Sequence, residues 1–303
     1  MSLPLVSVII PTCNRSSLLR DCLESVISSS YSNLQIIVVD DNSNDDTQEI
    51  AKEYSGQILF IKNRETLRLI KTRNLGAKSA TGKYFVFIDD DNIINKSMIE
   101  DLVFEMENNS NIGVCGPMMY YNKNRDLIWW SETKISLFSA RTFFPYRNQQ
   151  KNVIIDDRRE TEGIPNLFLV RKTVFEQLNG LDEAYFNTWH ESDFCERVKR
   201  IGYKVLRIRK AETYHQVDVK DWNGVLTARS IGDNPAKAYT TIRNRYKYVR
   251  EYFPLYGKIS FLFLFSWLLL AYYIFSAIKL RKREYVKFYL KGMFDGLKIF
   301  IFR

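Results

Sequence analysis

The chain of 303 residues contains little glycine, proline or cysteine, with 13 Gly, seven Pro and four Cys. So few Gly and Pro residues exclude a collagen-like or low-complexity chain. The four cysteines have no metal-type or paired spacing, and we expect reduced thiols in a domain that faces the cytosol. The opening residues MSLPLVSVII contain no charged region and no small-residue cleavage site, so we expect no signal peptide. No Gly-x-x-x-x-Gly-Lys segment is present, which excludes a phosphate loop of the NTPase type.

Net positive charge is absent from the first four fifths of the chain. Residues 243–303 contain 13 Lys and Arg against three Asp and Glu, a balance of +10, whereas the whole chain has +9. The first 242 residues therefore contain 31 basic and 32 acidic residues. A nucleic-acid-binding protein usually has a basic folded face, so we expect no nucleic-acid partner. The 46% hydrophobic content predicts a globular domain with a packed core.

The basic C-terminal part also contains the longest apolar run. Residues 259–278 carry no charge, and their number is about what is needed to cross a bilayer core. Basic residues follow from Lys279. We predict a membrane-associated tail over residues 251–303, with the hydrophobic segment 259–278 and an amphipathic helix 284–303 that lies on anionic lipids. A buried core helix is the alternative for residues 259–278, and the flanking charges do not select an orientation.

The first third of the chain alternates short apolar runs with amphipathic helical stretches. Strands are predicted at Val6–Ile10, Gln35–Val39, Ile58–Ile61 and Tyr84–Ile88. Apolar strands without in/out alternation are typical of a parallel sheet that is covered on both faces. The sequence thus predicts an α/β fold with a mainly parallel sheet and helices on both faces. A later helix is predicted at Glu191–Ile201, and mobile loops between residues 120 and 165.

Polar residues follow three of the four predicted strands. The segment Pro-Thr-Cys-Asn-Arg (11–15) follows the first, Asp-Asp-Asn-Ser (40–43) the second and Asp-Asp-Asp-Asn (89–92) the fourth. In open parallel sheets, ligands bind beyond the carboxyl ends of the strands. Carboxylates that are crowded at one edge repel one another unless a cation is held there. The sequence therefore predicts a polar binding site at this edge of the sheet.

The triplet Asp89-Asp90-Asp91 is the candidate cation site. Mg²⁺ and Mn²⁺ prefer oxygen ligands, often one or two protein carboxylates with phosphates and water in the remaining positions. The alternative is a solvated acidic turn, or a helix cap formed by Asp91 or Asn92. The earlier Asp pair is compatible with an ordinary turn or with hydrogen bonds to a nucleobase or ribose.

Four segments, in a fixed order, resemble the family-2 glycosyltransferases with a GT-A fold. They are VSVIIPTCNR, IIVVDDNSNDDT, KTRNLGAKSATGKYFVFIDDDN and HESDFCERVKRIGYKV. The resemblance covers about residues 5–250 and implies a GT-A domain over residues 1–250, with a nucleotide-binding part at about 1–120 and an acceptor part at about 121–250. Tyr239, the run Arg243-Asn244-Arg245 and His215 are similar to the rhamnosyltransferase-like branch.

This resemblance implies a nucleoside-diphosphate sugar as donor. The residues that it assigns to the donor are Pro11, Thr12, Asn14, Arg15, Asp41, Ser43, Arg73 and Asp90. Asp41 matches the acid that binds the nucleobase, and Arg73 an arginine that opens toward the phosphates. Asp90 resembles the ribose- or sugar-facing position, and Cys13 stands where the family usually has Tyr.

The resemblance also implies Mn²⁺ or Mg²⁺ as cofactor. Asp89 and Asp91 bracket the family's D-x-D motif, whose final acid holds a metal that bridges the donor diphosphate. A late His sometimes completes the metal shell, which makes His215 a possible ligand. A His that is buried or hydrogen-bonded at the surface is the alternative.

The segment that begins at His190 matches the family's acceptor-side motif. Glu191 occupies the place of the catalytic base, but it is Glu instead of the more frequent Asp, and His190 replaces an acid. Asp193 therefore remains a second candidate for the base. The alternative for Glu191 is an acid that complements the dipole at a helix N-terminus.

Four further residues are candidate contacts to the acceptor or to a diphosphate. They are Trp189, His190, Arg243 and Arg245. Trp189 lies beside the candidate base and could stack on a sugar ring. The diphosphate would belong to the donor or to a lipid carrier, and the two arginines are alternatively the first part of the basic membrane-facing region.

The leading hypothesis is an inverting, metal-dependent transferase at the cytoplasmic face of the cell membrane. It would move a hexose from a nucleoside-diphosphate sugar to a lipid-linked or polysaccharide acceptor. In an inverting displacement the acceptor hydroxyl attacks the anomeric carbon opposite the leaving diphosphate, so a single carboxylate base is sufficient. The alternatives are a catalytically silent membrane adaptor of the same fold and a sugar nucleotidyltransferase, against which the absence of Gly from residues 11–15 argues.

Overall fold

The computed structural model describes residues 3–164, 166–186, 188–217 and 234–302. The part of the predicted acceptor half at residues 218–233 lies outside the described residues.

The N-terminal third forms a parallel sheet, as predicted. Its strands are β1 (Val6–Thr12), β2 (Leu34–Asp40), β3 (Ile58–Lys62) and β4 (Tyr84–Ile88). The helices that connect them are α1 (Ser16–Ile27), α2 (Thr47–Glu53) and α3 (Leu69–Lys78). These strands lie in the order β4-β1-β2-β3, so their carboxyl ends meet at one edge.

The second part of the chain extends this sheet with antiparallel and parallel strands. Its strands are β5 (Asn92–Ile94), β6 (Ile112–Tyr121), β7 (Asn124–Trp130), β8 (Lys134–Ile135), β9 (Thr142–Phe143), β10 (Arg158–Glu160), β11 (Leu167–Arg171) and β12 (Lys204–His215). Its helices are α4 (Met98–Asn108), α5 (Lys172–Gln177) and α6 (His190–Arg200), with single 3₁₀ turns at Lys151–Val153 and Glu183–Tyr185. The strand β11 is antiparallel to both β4 and β6, whereas β12 is parallel to β6.

The predicted fold class is confirmed: the sheet is mainly parallel and is covered on both faces. Alternate residues of β1 enter opposite cores, since Val8 and Ile10 belong to one apolar cluster and Ile9 to the other. All seven residues of β1 are buried, which is why its sequence shows no polar alternation. Residues 120–165 contain strands β7 to β10, so this region is more regular than the mobile loops that we predicted.

The C-terminal part is helical. It comprises α7 (Pro235–Tyr252), α8 (Leu255–Ser260), a π-helical stretch (Phe261–Phe265), α9 (Ser266–Lys279) and α10 (Tyr285–Phe302). Helix α7 begins after Asn234, whose side chain accepts a hydrogen bond from the Lys237 amide, and Pro235 occupies its first turn. The predicted boundary near residue 250 falls inside α7, so the globular part and the tail share one helix.

Within the described residues, one helical run is long and apolar enough to cross a membrane, Leu255–Lys279. One third of its apolar window is buried inside the molecule. Helix α10 packs along α7, and Gly292 and Gly296 allow the close approach because a Cβ at either position would meet Tyr239 or Tyr246. The predicted amphipathic helix 284–303 thus exists as α10, but its buried side faces α7.

Candidate active site

A polar cleft of about 420 Å³ lies at the carboxyl ends of β1, β2 and β4, where the sequence predicts a binding site. The starts of α6 and α7 form its opposite wall. The residues that line it are Pro11, Thr12, Cys13, Arg15, Asp41, Leu69, Thr72, Asp89, Asp90, His190, Glu191, Asn234 and Lys237. Eight of these were predicted as site residues from the sequence.

A larger surface depression, about 1000 Å³, lies at the β10–β12 edge of the sheet. Its charged side chains form ion pairs, such as Arg158 with Glu105 and Arg209 with Asp157. We therefore place the site at the smaller cleft, where the predicted residues converge.

The three acids after β4 have different partners. The Asp89 carboxylate pairs with Arg73 at 2.5 Å. Asp90 accepts hydrogen bonds from the Thr12 hydroxyl at 2.8 Å and from Arg15 at 3.0 Å, and Arg15 also reaches Asp91 at 3.3 Å. The strand after the triplet is β5, so Asp91 and Asn92 cap no helix.

The pKa of Asp90 is raised to about 7 because the carboxyl is buried. Arg15 lowers this pKa and Asp91 raises it, but burial has the larger effect. A cation placed beside Asp90 and Asp91 would favour the charged forms of both carboxyls. The Arg15 guanidinium already lies between Asp90 and Asp91, so this is a point where positive charge is stabilised.

The end of β12 brings His215 beside Asp91, with 3.7 Å between Nε2 and the nearer carboxylate oxygen. Trp129 stacks on the imidazole at 4.3 Å between ring centroids, which fixes the plane of the ring. A carboxylate oxygen and an imidazole nitrogen both suit Mn²⁺. The described residues contain no group of three His, Cys, Asp or Glu that could hold a metal. Asp91 and His215 therefore fit a cation whose other ligands are donor oxygens and water.

Asp41 is held rigidly at the end of β2. Its carboxylate accepts hydrogen bonds from the Asn63 amide group and from the backbone N–H groups of Leu67 and Arg68, at 2.7 to 2.8 Å. Arg68 has φ of +72°, an uncommon conformation for a non-glycine residue, and it precedes α3 directly. Asp41 thus ties the β2 end to the start of α3 while it lines the cleft.

Asn14 and Ser43 connect the loops after β1 and β2. The Asn14 backbone N–H donates to the Ser43 hydroxyl, and the Asn14 side chain accepts from the Asn44 N–H, both at 2.8 Å. Asn14 has φ of +52°. Direct contact of these two residues with a donor stays a prediction.

Arg73 is fully buried beneath the cleft. Its guanidinium bonds to Asp89, lies 3.0 Å from His190 Nε2 and 4.0 Å from a Glu191 oxygen. It also donates to the Asn166 carbonyl. We expected Arg73 to open toward the phosphates; instead the structure places it where it joins β4 to the start of α6. Direct phosphate contact is not supported by this position, because no part of its side chain is exposed.

Helix α6 begins at His190, directly after a strained residue. Trp189 has φ of +69°, a conformation that costs about 1–3 kcal/mol for such a residue and is found mostly at functional sites. The Glu191 carboxylate lies 2.9 Å from His190 Nε2. Burial raises the pKa of Glu191, but His190 and Arg73 together outweigh it, so the pKa lies below its usual range.

Asp193 lies two residues further along α6 but has a different environment. Its carboxylate pairs with Arg197 at 2.9 Å and accepts a hydrogen bond from Tyr252. Burial raises the pKa of Asp193 against the effects of Arg197 and Tyr252. Glu191 lines the cleft, whereas Asp193 lines a separate pocket with Lys247 and Arg197. This geometry favours Glu191 of the two candidates.

The remaining predicted contacts lie behind the cleft. Arg243 donates to the Ala184 carbonyl, and Arg245 donates to the Tyr273 hydroxyl at 3.3 Å. The Trp189 ring packs against Tyr248, with 4.9 Å between centroids. In this conformation these side chains hold α7 against its neighbours.

Sequence reasoning missed Lys237 and Asn234 at the start of α7. The Asn234-Pro235 pair is a helix-start signal that would have predicted where α7 begins. Asn234 and Lys237 lie 19 and 22 residues beyond the end of β12. Nothing in the local sequence indicates that they line the same cleft as Glu191, because that is a tertiary contact.

The described fold is an α/β architecture of the GT-A-like class, as its solved neighbours also indicate. Staphylococcus aureus TarS 1–349 in complex with UDP-GlcNAc has a TM-score of 0.63 at 17% identity, over 97% of this chain and 81% of that TarS segment. The mannosyltransferase PcManGT of Pyrobaculum calidifontis, in complex with GDP-Man and Mn²⁺, has a TM-score of 0.57 at 14% identity, over 99% of this chain and 88% of that one.

Residues 7–178, more than half of the chain, match the family model "Glycosyl transferase family 2". The chain belongs to this family, which confirms the resemblance found in the sequence. An uncharacterized glycosyltransferase of Rickettsia typhi is 32% identical over 72% of this chain and 63% of its own length. Glycosyltransferase GlyA of Streptococcus pneumoniae is 39% identical over 32% of this chain. The chain spans 14% of GlyA and 59% of EpsJ of Bacillus subtilis, which is 27% identical.

Proposed function

We propose that this protein transfers a sugar from a nucleoside-diphosphate sugar to an acceptor hydroxyl, with inversion and with a divalent cation. The acceptor that we propose is a lipid-linked or polysaccharide glycan at the cytoplasmic face of the membrane. Family membership supports sugar transfer, and the complexes of the structural neighbours with UDP-GlcNAc and with GDP-Man and Mn²⁺ support the donor class and the metal.

One observation carries the proposal: the Glu191 carboxylate lines the same cleft as Asp89 and Asp90, the acids after β4. Glu191 lies on the α6 wall, and Asp89 and Asp90 lie on the sheet wall of the same cavity. An inverting displacement needs one base on the side opposite the leaving group. With Glu191 on the α6 wall and Asp89 and Asp90 on the sheet wall, the base would lie on the acceptor side and the acids on the side of the leaving group.

Glu191 is the proposed base. The low pKa of its carboxylate keeps it ionised at neutral pH, so it is ready to accept the proton of the acceptor hydroxyl. Arg73 and His190 hold this carboxylate in place from beneath. The strained Trp189 sets the direction in which α6 begins and therefore the direction in which Glu191 projects into the cleft.

The donor would lie along the sheet wall. Asp41 would meet the nucleobase, and Thr12 and Asp90 would meet the ribose or sugar. Asp91 and His215 would hold Mn²⁺ or Mg²⁺, which supplies Lewis-acid charge for the departing diphosphate when bound. Arg15 and Lys237, which line the cleft, would add positive charge near the diphosphate.

The proposal is tested by thermal unfolding of the full chain with UDP-, GDP- and dTDP-sugars and Mn²⁺. A donor that binds the native state raises the melting temperature by mass action. NMR of the product then gives the anomeric configuration at the transferred sugar. A folded protein that binds none of these donors, with or without metal, would favour the alternative of a silent adaptor, and retention of configuration would contradict the single-base mechanism.

A further inference from the structure

The apolar helical run Leu255–Lys279 is docked on the rest of the molecule by one face along its whole length. At its start, Gly257 packs so closely against a backbone carbonyl in the loop between β8 and β9 that a Cβ would not fit. Phe261 is buried against Tyr246 of α7, with 5.0 Å between ring centroids. Near its end, Ala277 is completely buried. A helix docked in this way cannot take an orientation of its own.

Helix α7 lies across the middle of this run. Tyr246 contacts Phe261, and the preceding residue, Arg245, donates to the Tyr273 hydroxyl at 3.3 Å. Phe261 and Tyr273 are twelve residues apart, about 18 Å along a helix. Arg245 also lies 5.5 Å from the centre of the Trp189 ring, and Trp189 directly precedes the residues of the cleft. The centre of the apolar run is therefore attached to the wall that bears Glu191.

A bilayer-spanning orientation would bring polar parts of the domain into hydrocarbon. The hydrocarbon core is about 30 Å thick, so a run centred in it would place the crossing point with α7 near the mid-plane. Arg245, which donates to the Tyr273 hydroxyl of this run, would then lie within the hydrocarbon core. Charged side chains at that depth are costly and rare. The docking thus argues against a crossing.

The opposite face of the same run is exposed and apolar. Its large exposed residues include Phe263, Leu264, Trp267, Leu268, Tyr272 and Phe275. No charged residue interrupts this face between 259 and 278. A contiguous apolar strip of about 30 Å marks an interaction surface, because a water-exposed monomer surface rarely carries one.

The neighbouring helix α10 supplies positive charge to this surface. Its exposed positions include Lys287, Lys291 and Lys298, and Leu290 and Phe294 lie between them on the same face. Its opposite face is buried against α7. Lysines that alternate with exposed apolar residues on one helix face are typical of a helix at a lipid interface. The charge complements anionic lipid headgroups.

We propose that α8 to α10 bind the surface of an anionic bilayer in the plane of the membrane and that residues 259–278 do not cross it. The exposed face of α8 and α9 enters the boundary between headgroups and acyl chains, and the lysines of α10 meet the lipid phosphates. The cleft then stays in water, above the membrane surface. This inference is independent of the transfer reaction, because it concerns a face that no cleft residue occupies.

Protease protection of the full chain distinguishes the two orientations. The protein carries a different epitope at each end and is reconstituted by detergent removal into sealed vesicles of phosphatidylcholine and phosphatidylglycerol. For in-plane binding, each molecule has both ends on one side, so the two epitopes are digested or protected together. A protected fragment that has lost only one epitope would show a crossing and would overturn the proposal.

Matched substitutions test the surface itself by flotation with preformed vesicles. Phe275 and Phe104 are 63% and 61% exposed, so Asp at either position leaves the core untouched. We expect Phe275→Asp to weaken vesicle binding at least tenfold and Phe104→Asp to leave it unchanged. Equal effects, or no binding of the original chain to any vesicle, would contradict the proposal.

The charge contribution is tested by reversal of the three lysines of α10. With Lys287, Lys291 and Lys298 all changed to Glu, binding to vesicles with phosphatidylglycerol should fall by roughly a hundredfold or more. The control changes Lys52, Lys78 and Lys96 to Glu, three lysines of the globular part. Binding that is insensitive to the α10 reversal would overturn the proposed contact with lipid phosphates. No sugar nucleotide is present in any of these assays, so their outcome does not depend on the transfer reaction.

Discussion

The two walls of the cleft are assembled differently. The sheet wall consists of the ends of β1, β2 and β4, which are neighbours in one parallel sheet. The helical wall consists of the starts of α6 and α7, which contribute Glu191 and Lys237 from distant parts of the chain. Sheet pairing determines the first wall, whereas the second depends on how helices pack on the finished sheet. The two walls therefore differ in how they should respond to substitution.

Two pairs of nearby acids, one after β4 and one on α6, have contrasting partners. On the sheet wall, Asp89 is tied to the buried Arg73, whereas Asp91 lies beside His215. On α6, Asp193 is paired with Arg197 outside the cleft, whereas Glu191 lines the cleft. We propose that Asp89 and Asp193 hold the structure and that Asp91 and Glu191 take part in the chemistry. The predictions below separate the two roles.

The largest expected effect is on the helical wall. Glu191→Gln removes the proposed base and should lower kcat by about a thousandfold, within the usual range for general-base catalysis. Donor binding and the melting temperature should change little. Asp193→Asn is the matched comparison, and it should lower the free energy of unfolding by about 3 kcal/mol because it breaks a buried ion pair. If the two variants show the reverse pattern in kinetics and thermal unfolding, the assignment of the base is wrong.

On the sheet wall, Asp91→Asn should lower the rate at saturating donor by about a hundredfold and raise the Mn²⁺ concentration needed for activity. Asp89→Asn should instead destabilise the fold, since it leaves Arg73 buried without its carboxylate. Metal titration of initial rates measures the first effect and thermal unfolding the second. An Asp91→Asn enzyme with unchanged metal dependence would contradict the proposed cation site.

Lys237 tests whether the start of α7 belongs to the donor site. Lys237→Ala should raise KM for the donor by about tenfold, because it removes one charge near the diphosphate. The control is Lys247→Ala on the same helix, where the side chain pairs with Asp182 and Glu251 outside the cleft. Steady-state kinetics with varied donor gives the result. Equal changes in KM for the two variants would remove Lys237 from the site.

The smallest effect concerns pH. The depressed pKa of Glu191 means that its carboxylate stays ionised until the pH falls below the ordinary range of a glutamate, so the limb of the kcat/KM profile that reports Glu191 should lie below that range. His190→Gln removes the imidazole that lowers the pKa of Glu191 and should move this limb to higher pH. The profile of kcat/KM against pH measures the shift. A limb that is unmoved or moves to lower pH would show that His190 does not stabilise the charged form.

The sheet wall of the cleft was predictable from the sequence. Uninterrupted apolar strands followed by Asp41 and the triplet 89–91 predict a parallel sheet with acids at one edge, and the structure places them there. Periodicity also predicts α6 and the apolar run 259–278. These features depend on local pattern and on the geometry of parallel strands, so a single sequence suffices for them.

The partners of each acid could be assigned only in three dimensions. The sequence does not separate Glu191 from Asp193, since both lie in the first turn of one helix. Their environments differ because Arg197 and Tyr252 approach one and His190 and the cleft approach the other. In the same way, Arg73 follows a family pattern in sequence but is buried beneath the cleft in the fold.

By itself, the amino-acid sequence determined the order of strands and helices in the first third of the chain, the edge of the sheet that gathers acids, and the presence of an apolar, basic C-terminal part. Those properties follow from hydrophobic periodicity and composition, which act over a few neighbouring residues. Tertiary structure alone decided which partners each carboxylate has, that α7 reaches the cleft, and that the apolar run is docked along one face. These depend on contacts between residues far apart in the chain, and local pattern carries no information about such contacts.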